Sequence, residues 1–197
     1  MTFPFTRSLA LAAMLAATPA LAQDTDQGAD GAATEDLPVG EEVTQVGDTY
    51  TAETHGDWSI QCEKTEDGND PCVLQQFLLN ADGGSIAEIN VFDLPEGGQA
   101  MAGATIITPL ETLLTRNITL QVDSGQPKQY QYTFCTQIGC VARVGFTAED
   151  VAAFRKGAEA TMTIFAMAAP DRPFQTKMSL KGFTAGYEAL QKLNAGE

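Results

Sequence analysis

From Trp58 onward, apolar and polar residues alternate in short stretches that are separated by turn-forming residues. Trp58-Ser59-Ile60-Gln61-Cys62 is one such stretch, and Asp82-Gly83-Gly84 is one of the turns. Alternation with a period of two is typical of a strand with one buried face. Because these stretches recur at intervals of roughly ten residues, they predict an antiparallel β-sandwich rather than βαβ units. The predicted strands cover residues 58–62, 72–79, 85–92, 100–108, 118–122, 128–135, 140–146, 160–168 and 176–180.

Two segments depart from this pattern and are predicted to be helices. Thr147 can accept a hydrogen bond from the amide of Asp150, which is the arrangement of a helix N-cap. This short helix is predicted to end at Gly157, after two basic residues that suit the negative end of a helix dipole. The apolar residues of the C-terminal helix fall at helical spacing, at Phe183, Tyr187 and Leu190. The predicted fold is all-β, with one short helix after the Cys135–Cys140 hairpin and a C-terminal helix.

The N-terminal segment, residues 1–22, has the features of a secretory signal peptide. One early positive charge is followed by the apolar run Leu9–Ala17 and by Pro19-Ala20-Leu21-Ala22, which has small residues at the cleavage positions. Cleavage is predicted between Ala22 and Gln23. The apolar run is shorter than the roughly 20 residues that a membrane-spanning helix needs, and no later stretch approaches that length. The mature chain is therefore predicted to be exported and to have no transmembrane segment.

Acidic residues dominate the segment that follows the signal peptide. Residues 23–57 contain ten Asp or Glu residues and no Lys or Arg. Such a segment repels itself and has few apolar residues to bury, so residues 23–56 are predicted to be an acidic disordered linker. Residues 57–197 are predicted to be a single domain, because their number is sufficient for a hydrophobic core. The net charge of −15 argues against a basic surface for nucleic acid.

Four cysteines, Cys62, Cys72, Cys135 and Cys140, are present in this chain. In an exported protein an even number of cysteines indicates disulfide bonds, and four cysteines allow three pairings. The short separations favour Cys62 with Cys72 and Cys135 with Cys140, each closing a loop across a turn. The sequence alone does not choose among the three pairings.

The candidate catalytic residues are few. His55 is the only histidine, and it lies in the predicted linker, where no packing would hold it beside a nucleophile. The cysteines lack the C-x-x-C spacing of thioredoxin-like redox sites, and a zinc ion would have to use carboxylates or these cysteines. No catalytic residue, cofactor or metal ligand is predicted on these grounds.

Other polar and aromatic groups have a structural interpretation beside a functional one. Glu149 and Asp150 could act as paired carboxylates, but helix capping accounts for both. Residues 67–70 resemble part of a calcium loop, yet the spaced glycine and the closing glutamate are missing. Tyr130, Tyr132 and Phe134 alternate on one predicted strand. They could form an aromatic binding face, although such a face is more often part of the core.

Five motifs, in their order and spacing, resemble the invasion-associated locus B family of exported bacterial proteins. The resemblance covers about Trp58 to Ala189 and departs from the family pattern at Glu111 and Asn117, where the family tends to have glycines. It implies an immunoglobulin-like β-sandwich located in the periplasm, in the outer membrane or outside the cell. The motifs are Trp58-Ser59-Ile60-Gln61-Cys62, Cys72-Val73-Leu74-Gln75-Gln76, Pro109-Leu110 with Ile118-Thr119-Leu120-Gln121-Val122-Asp123, Cys135-x-x-x-Gly139-Cys140-Val141-Ala142, and Ser179-Leu180-Lys181-Gly182-Phe183.

The expected function is that of a non-enzymatic cell-envelope protein that acts through contacts with another protein or with a surface. The family takes its name from members that help a pathogen to enter host cells, and no enzymatic mechanism comes with the resemblance. The expected location is the periplasm or the exterior, with outer-membrane association as a variant. The alternative is a periplasmic binder of small ligands or a carboxylate-dependent enzyme, which would need a deep pocket with converging polar groups.

Overall fold

The computed structural model describes residue 40, residues 43–95 and residues 97–196. Residues 43–196 lie within one compact unit, Glu42–Glu197. The predicted signal peptide, its cleavage site between Ala22 and Gln23, and most of the predicted acidic linker lie outside the described residues. In the described part of the chain, no helix is long and apolar enough to cross a membrane.

The described residues form two antiparallel sheets and two helices. The larger sheet has seven strands in the order β1-β2-β3-β4-β5-β9-β8, and the smaller sheet has four in the order β11-β10-β6-β7. The predicted β-sandwich, with a short helix after the Cys135–Cys140 hairpin and a C-terminal helix, is confirmed. The elements are β1 (Thr49–His55), β2 (Trp58–Glu63), β3 (Cys72–Leu79), β4 (Ser85–Asp93), β5 (Ala102–Thr108), β6 (Ile118–Val122), β7 (Lys128–Tyr130), β8 (Phe134–Thr136), β9 (Gly139–Phe146), α1 (Ala148–Lys156), β10 (Glu159–Ala166), β11 (Ala169–Ser179) and α2 (Phe183–Ala195).

The alternation of the strands places one face of each sheet in a common core. In β2, for example, Trp58, Ile60 and Cys62 are buried, whereas Ser59 and Gln61 are only partly buried. The smaller sheet and both helices lie on the inner face of the larger sheet, where β11 and α2 pack on β3 and α1 packs on β9. The outer face of the larger sheet is not covered by any of the described residues, since no element packs there.

Helix α1 begins with the predicted cap. The Thr147 hydroxyl accepts from the Asp150 amide, and the Asp150 carboxylate accepts from the Thr147 amide, which together make a capping box. Val151 and Phe154 are the buried residues of this helix, and Gly157 is its C-cap. The edge of the Phe154 ring meets Phe183 of α2, with ring centroids 5.4 Å apart, so the two helices share one aromatic cluster.

Three predicted boundaries were wrong. Residues 49–55, predicted as linker, form β1, which was missed because most of its residues are exposed and its stability comes from pairing with β2. Residues 128–135, predicted as one strand, divide between β7 in the smaller sheet and β8 in the larger sheet. Residues 170–173, which lie between the predicted strands 160–168 and 176–180, belong to β11, an edge strand that tolerates proline.

The side-chain amide of Gln76 joins the two sheets. It is 6% exposed, and its Nε2 donates to the carbonyl oxygens of Asp57, at 3.1 Å, and Ser179, at 3.0 Å. Its Oε1 accepts from the backbone N–H of Ser179 at 2.8 Å. Trp58 Nε1 donates to the same Ser179 carbonyl at 2.9 Å. One side chain of β3 thereby satisfies backbone groups at the end of β11 and in the turn between β1 and β2.

The chain that leaves β11 passes very close to this turn. The Asp57 amide donates to the carbonyl oxygen of Lys181 at 3.1 Å. Gly182, with φ of 91°, approaches His55 so closely that a Cβ atom at this position would lie 1.9 Å from the His55 carbonyl oxygen. A side chain is therefore excluded at Gly182 both by the left-handed backbone and by the packing. Phe183 follows directly and enters the core against Trp58.

Replacing Gln76 with Leu is expected to lower the free energy of unfolding by about 2–4 kcal/mol, because it removes the partner of the Ser179 amide and of the Asp57 carbonyl oxygen, whereas the Ser179 carbonyl oxygen keeps its bond from Trp58. Gln75→Leu is the matched control, since Gln75 lies next to Gln76 on the outer face of the same strand and its loss is expected to cost about 1 kcal/mol or less. Urea unfolding of both variants measures the difference. Equal losses for the two would contradict the role assigned to Gln76.

Candidate functional site

The two cysteine pairs lie at opposite ends of the larger sheet. Cys62 and Cys72 face each other across β2 and β3, with Sγ atoms 1.98 Å apart. Cys135 and Cys140 face each other across β8 and β9, with Sγ atoms 2.07 Å apart. Both pairs are at the separation of a disulfide bond. A location in paired strands, where each closes a short loop, is that of a structural clamp.

His55 is placed where it has no catalytic partner among the described residues. It ends β1, and its Nε2 lies 2.7 Å from Glu53 Oε2 on the same strand. This contact is an ion pair when the imidazole is protonated. The arrangement orients the side chain at the turn that contacts Gly182 and gives it a structural role.

The candidate carboxylate Asp150 takes part in structural contacts. Burial pushes the pKa of Asp150 upward, but the contacts from Lys128 and Thr147 outweigh it and hold this pKa below its ordinary value. Asp150 is thus an ionised helix cap, which does not suit a general acid at neutral pH.

The loop that resembled part of a calcium site is closed by its own hydrogen bonds. Asp70 accepts from the Thr65 amide and the Tyr50 hydroxyl, both at 2.8 Å, and from Lys64 Nζ at 3.1 Å. The Thr65 amide, first of all, and then the Tyr50 hydroxyl hold the pKa of Asp70 well below its ordinary value. Across residues 40, 43–95 and 97–196, no three His, Cys, Asp or Glu side chains are arranged to hold a metal ion.

The three aromatic residues that the sequence placed on one strand face are separated in the structure. Tyr130 and Tyr132 pack against the core, whereas Phe134 lies on the larger sheet, is 41% exposed and carries the Arg143 guanidinium 5.8 Å from its ring centroid. Burial, with a smaller effect of the Asp150 carboxylate, raises the pKa of Tyr130 to about 12. The Tyr130 hydroxyl is therefore neutral at physiological pH. The predicted common aromatic face does not exist.

An open cleft of about 430 Å³ lies between α1 and the β6–β7 hairpin. Tyr130 and Phe154 contribute aromatic surface to it, and Lys128 and Asp150 form an ion pair on its wall. Asp123, also on the wall, accepts from the amides of Ala158 and Glu159. Lys128, Asp150 and Asp123 therefore already have partners within the protein.

Exposed apolar side chains gather at the end of the sandwich that contains Cys135 and Cys140. Ile138 is 75% exposed, Met167 is 64% exposed and Leu110 is 55% exposed. Two shallow cavities, of about 240 Å³ and 230 Å³, share Ile86 and Pro109 at this end; Phe174 lines the first and Ile138 the second. We call this surface the apolar end and define it as Ile86, Pro109, Leu110, Ile138, Met167 and Phe174.

Three connections hold the apolar end together. The Met167 amide donates to the Glu111 carbonyl oxygen at 2.8 Å, which ties the β10–β11 turn to the loop that carries Leu110. The Thr112 hydroxyl donates to the Pro109 carbonyl oxygen at 2.6 Å, which closes that loop. Ile138 lies at the tip of the hairpin that contains Cys135 and Cys140. The apolar residues are therefore presented by short, tied connections.

Little in the amino-acid sequence indicates this surface. Leu110, Ile138 and Met167 each lie in a different turn or connection, and their proximity depends on the ends of both sheets meeting. The only local signal was an apolar residue within a predicted turn, at Ile138, whereas Met167 fell inside the predicted strand 160–168 and lies in a turn of the structure. Alternation analysis does not find such residues, because it recognises strand faces and not strand ends.

Comparisons with known proteins agree on one family. The sequence model described as "Invasion associated locus B (IalB) protein" matches residues 58–191. Two curated proteins from Brucella abortus, strain 2308 and biovar 1 strain 9-941, are similar to this chain, and both are named "Invasion protein B homolog". Each is 28% identical over 147 residues, which cover 75% of this chain and 83% of the relative.

A solved structure has the same fold. The crystal structure of invasion associated protein B from Bartonella henselae superposes with a TM-score of 0.63 at 23% sequence identity. The match covers 73% of this chain and 97% of the Bartonella chain. The matched family region, residues 58–191, covers more than half of the chain and includes both cysteine pairs and Gln76, so the chain belongs to the invasion associated locus B (IalB) family.

Proposed function

We propose that this chain is an exported, non-enzymatic protein of the cell envelope that acts by binding another protein through the apolar end. The observation that carries the proposal is the cluster of exposed apolar residues described above. Soluble proteins rarely expose a contiguous apolar surface, and such a surface within a polar rim is typical of a protein-binding site. The curated relatives are named invasion protein B homologues, and the role proposed for this contact in pathogenic relatives is host-cell entry.

The surface has the anatomy of a protein contact. Ile138, Leu110 and Met167 project from short connections, so little conformational entropy is lost when a partner covers them. Polar groups lie beside them: Glu111 lines one of the two cavities and Glu88 the other. An apolar centre with polar groups at the margin is the usual composition of a protein interface.

The distance between the two ends of the sandwich supports the same proposal. β3 begins at Cys72 and ends at Leu79, which pairs with Ser85 next to Ile86 of the apolar end. A strand of this length separates its ends by about 23 Å at 3.3 Å per residue. The first described residues, 43–48, lie at the Cys72 end, because the Gly47 amide donates to the Lys64 carbonyl oxygen. A partner at the apolar end would therefore not compete with the chain entering the domain.

Export is supported by the sequence of residues 1–22 and by the two cysteine pairs, since disulfides persist in oxidising compartments. The proposed location is the periplasm or the exterior of the cell. The alternative location is the outer membrane, to which the protein would be attached through a partner. The absence of an enzymatic role is supported by the carboxylates: Asp70 and Asp150 are held ionised in structural contacts.

Mass spectrometry of the protein purified from its natural compartment without reduction is expected to give a mature chain that begins at Gln23. Digestion is expected to release linked peptides containing Cys62 with Cys72 and Cys135 with Cys140. The reduced and alkylated sample is the control for the linked peptides. A chain that retains residues 1–22, or a Cys62–Cys135 link, would contradict the export or the pairing, respectively.

Replacing Ile138 with Asp, or Met167 with Asp, is expected to weaken binding of the natural partner at least tenfold. A buried apolar side chain contributes about 1.5–3 kcal/mol, and a tenfold change in affinity corresponds to about 1.4 kcal/mol. The partner is first identified by crosslinking in envelope fractions, and its affinity is then measured with both proteins purified. Folding of the variants is expected to be unchanged, because both side chains are mostly exposed.

Val46→Asp is the matched control for these variants. Val46 is 60% exposed and lies near Lys64, away from the apolar end. Its replacement introduces the same charge and is expected to leave the affinity unchanged. The proposal is wrong if Val46→Asp weakens binding as much as Ile138→Asp, or if neither of the two apolar-end variants alters it.

A further inference from the structure

The outer face of the larger sheet carries a row of polar side chains in register, three of them neutral and one of them, Arg143, charged. Gln75 of β3 pairs with Asn90 of β4, Asn90 pairs with Thr105 of β5, and Thr105 pairs with Arg143 of β9. Their neighbours along the strands, such as Leu74 and Ile106, point into the core. Because paired residues lie on the same face of a sheet, these four side chains form one continuous row, which we call the polar row.

The outer face is flat beside the polar row, on the side toward the Cys62–Cys72 end of the sheet. Phe92 pairs with Gly103, and Gly103 pairs with Gly145, so β5 and β9 have no side chains of their own at these positions. The Ala100 methyl group lies beside Gly145, where a Cβ atom on the glycine would be 3.0 Å from it. A Cβ atom on Gly103 would lie 2.3 Å from Cε2 of Phe92, so the phenyl ring occupies the space above this glycine. We call Phe92, Gly103 and Gly145 the shelf. Phe92 is only partly buried, so part of its ring surface is open to solvent.

A third group lies beside the polar row on β4. Gln75 Nε2 donates to Glu88 Oε1 at 2.8 Å, and Asn90 Nδ2 donates to the same oxygen at 2.7 Å. Gln75 Nε2 also lies 3.1 Å from Asn90 Oδ1. These contacts hold three planar groups in fixed orientations on the sheet surface. They leave Glu88 Oε2 and Gln75 Oε1 without a hydrogen-bond donor among the described residues.

We propose that the shelf and the polar row bind an uncharged oligosaccharide, with one sugar ring stacked on Phe92 and its hydroxyl groups bonded to Asn90 and Thr105. This site lies next to the apolar end, with Glu88 at the border of both, and it does not depend on the protein-binding function proposed for that end.

The chemistry of the shelf and of the polar row matches that of a sugar. A pyranose ring has an apolar C–H face, which packs on the open face of an aromatic ring, and a rim of hydroxyl groups that both donate and accept hydrogen bonds. The Asn90 amide and the Thr105 hydroxyl each donate and accept. Glu88 supplies acceptors at one end of the polar row, and Arg143, whose guanidinium lies 5.8 Å from the Phe134 ring centroid, supplies donors at the other end.

The spacing and the charge also match. Phe92 and Asn90 are two residues apart on one strand, a distance of about 6.6 Å, so a ring over Phe92 brings its hydroxyls to the polar row. The shelf spans β4, β5 and β9, or about 10 Å at two strand spacings, which accommodates two sugar units of a chain. Glu88 and Arg143 carry opposite charges, so this face is locally neutral in a protein of net charge −15. An uncharged ligand meets no net repulsion here.

A second copy of the chain is a poorer occupant of this face. Stacking two such faces would remove Glu88 and Arg143 from water, and desolvating these charges costs free energy that polar side chains of an identical face do not return. A sugar leaves the site partly hydrated, and water bridges complete its contacts.

The test is a titration of the isotopically labelled mature chain, residues 23–197, with maltohexaose, cellohexaose and chitohexaose, followed by amide chemical shifts. Binding in the millimolar range by at least one of them is expected, with the shifts confined to Phe92, Gly103, Gly145 and the polar row. Phe92→Ala is expected to weaken this binding at least fivefold, as is Asn90→Leu, which keeps the shape and removes the hydrogen bonds. Phe77→Ala is the matched control, because Phe77 is an exposed phenylalanine on the same face and is expected to leave binding unchanged.

Thermal unfolding of each variant distinguishes loss of binding from loss of folding. A Gly103→Ser variant tests the shelf without replacing Phe92 or Asn90. Its side chain would displace the Phe92 ring, and it is expected to reduce binding as Phe92→Ala does. The proposal is overturned if none of the three oligosaccharides shifts these amides, or if Phe77→Ala weakens binding equally. It is also overturned if a hexauronate binds more tightly than the neutral sugars, or if a protein partner and no sugar occupies the shelf.

Discussion

The buried amide of Gln76 is the contact on which the two-layer structure depends. Hydrophobic burial brings the sheets together without direction, whereas this amide fixes their relative position, because it must meet the carbonyl oxygens of Asp57 and Ser179 and the Ser179 amide at the same time. The same place joins the β1–β2 turn to the start of α2 through Gly182. Three family motifs that are distant in sequence, beginning at Trp58, Cys72 and Ser179, therefore meet at one joint. Their common occurrence in the chain has a structural reason.

The joint also determines which surfaces are left open. With α2 and the smaller sheet on the inner face of the larger sheet, the strand ends near Ile138 and the outer face near Phe92 have no covering element among the described residues. The first surface is apolar and projects from short connections, which suits another protein. The second is flat, neutral and rich in amides, which suits a hydroxylated ligand. One chain can therefore present two chemically different surfaces from a single rigid core, without any catalytic group.

The fold could be predicted from the sequence wherever burial imposed a pattern. Apolar and polar residues alternate in β2, β4 and β10 because one face of each strand is in the core. The cap of α1 is recognisable from Thr147 and Asp150. β1 was missed because an exposed edge strand carries no such pattern. The candidate surfaces were missed for a related reason: Leu110 and Met167, or Phe92 and Gly103, become neighbours only through strand pairing and turn geometry. Family membership was recognisable from motifs because they are tied to the joint, but these motifs do not specify the open surfaces.

The central claim is that the apolar end is the surface through which this protein meets its partner. Photo-crosslinking in living cells tests it most directly, with p-benzoyl-phenylalanine placed at Met167 in one strain and at Val46 in another. Both side chains are mostly exposed, but only Met167 belongs to the apolar end. We expect one discrete adduct, with the partner protein of the envelope, when the probe is at Met167 and no adduct when it is at Val46. Equal adducts at the two positions, or an adduct at Val46 alone, would contradict it.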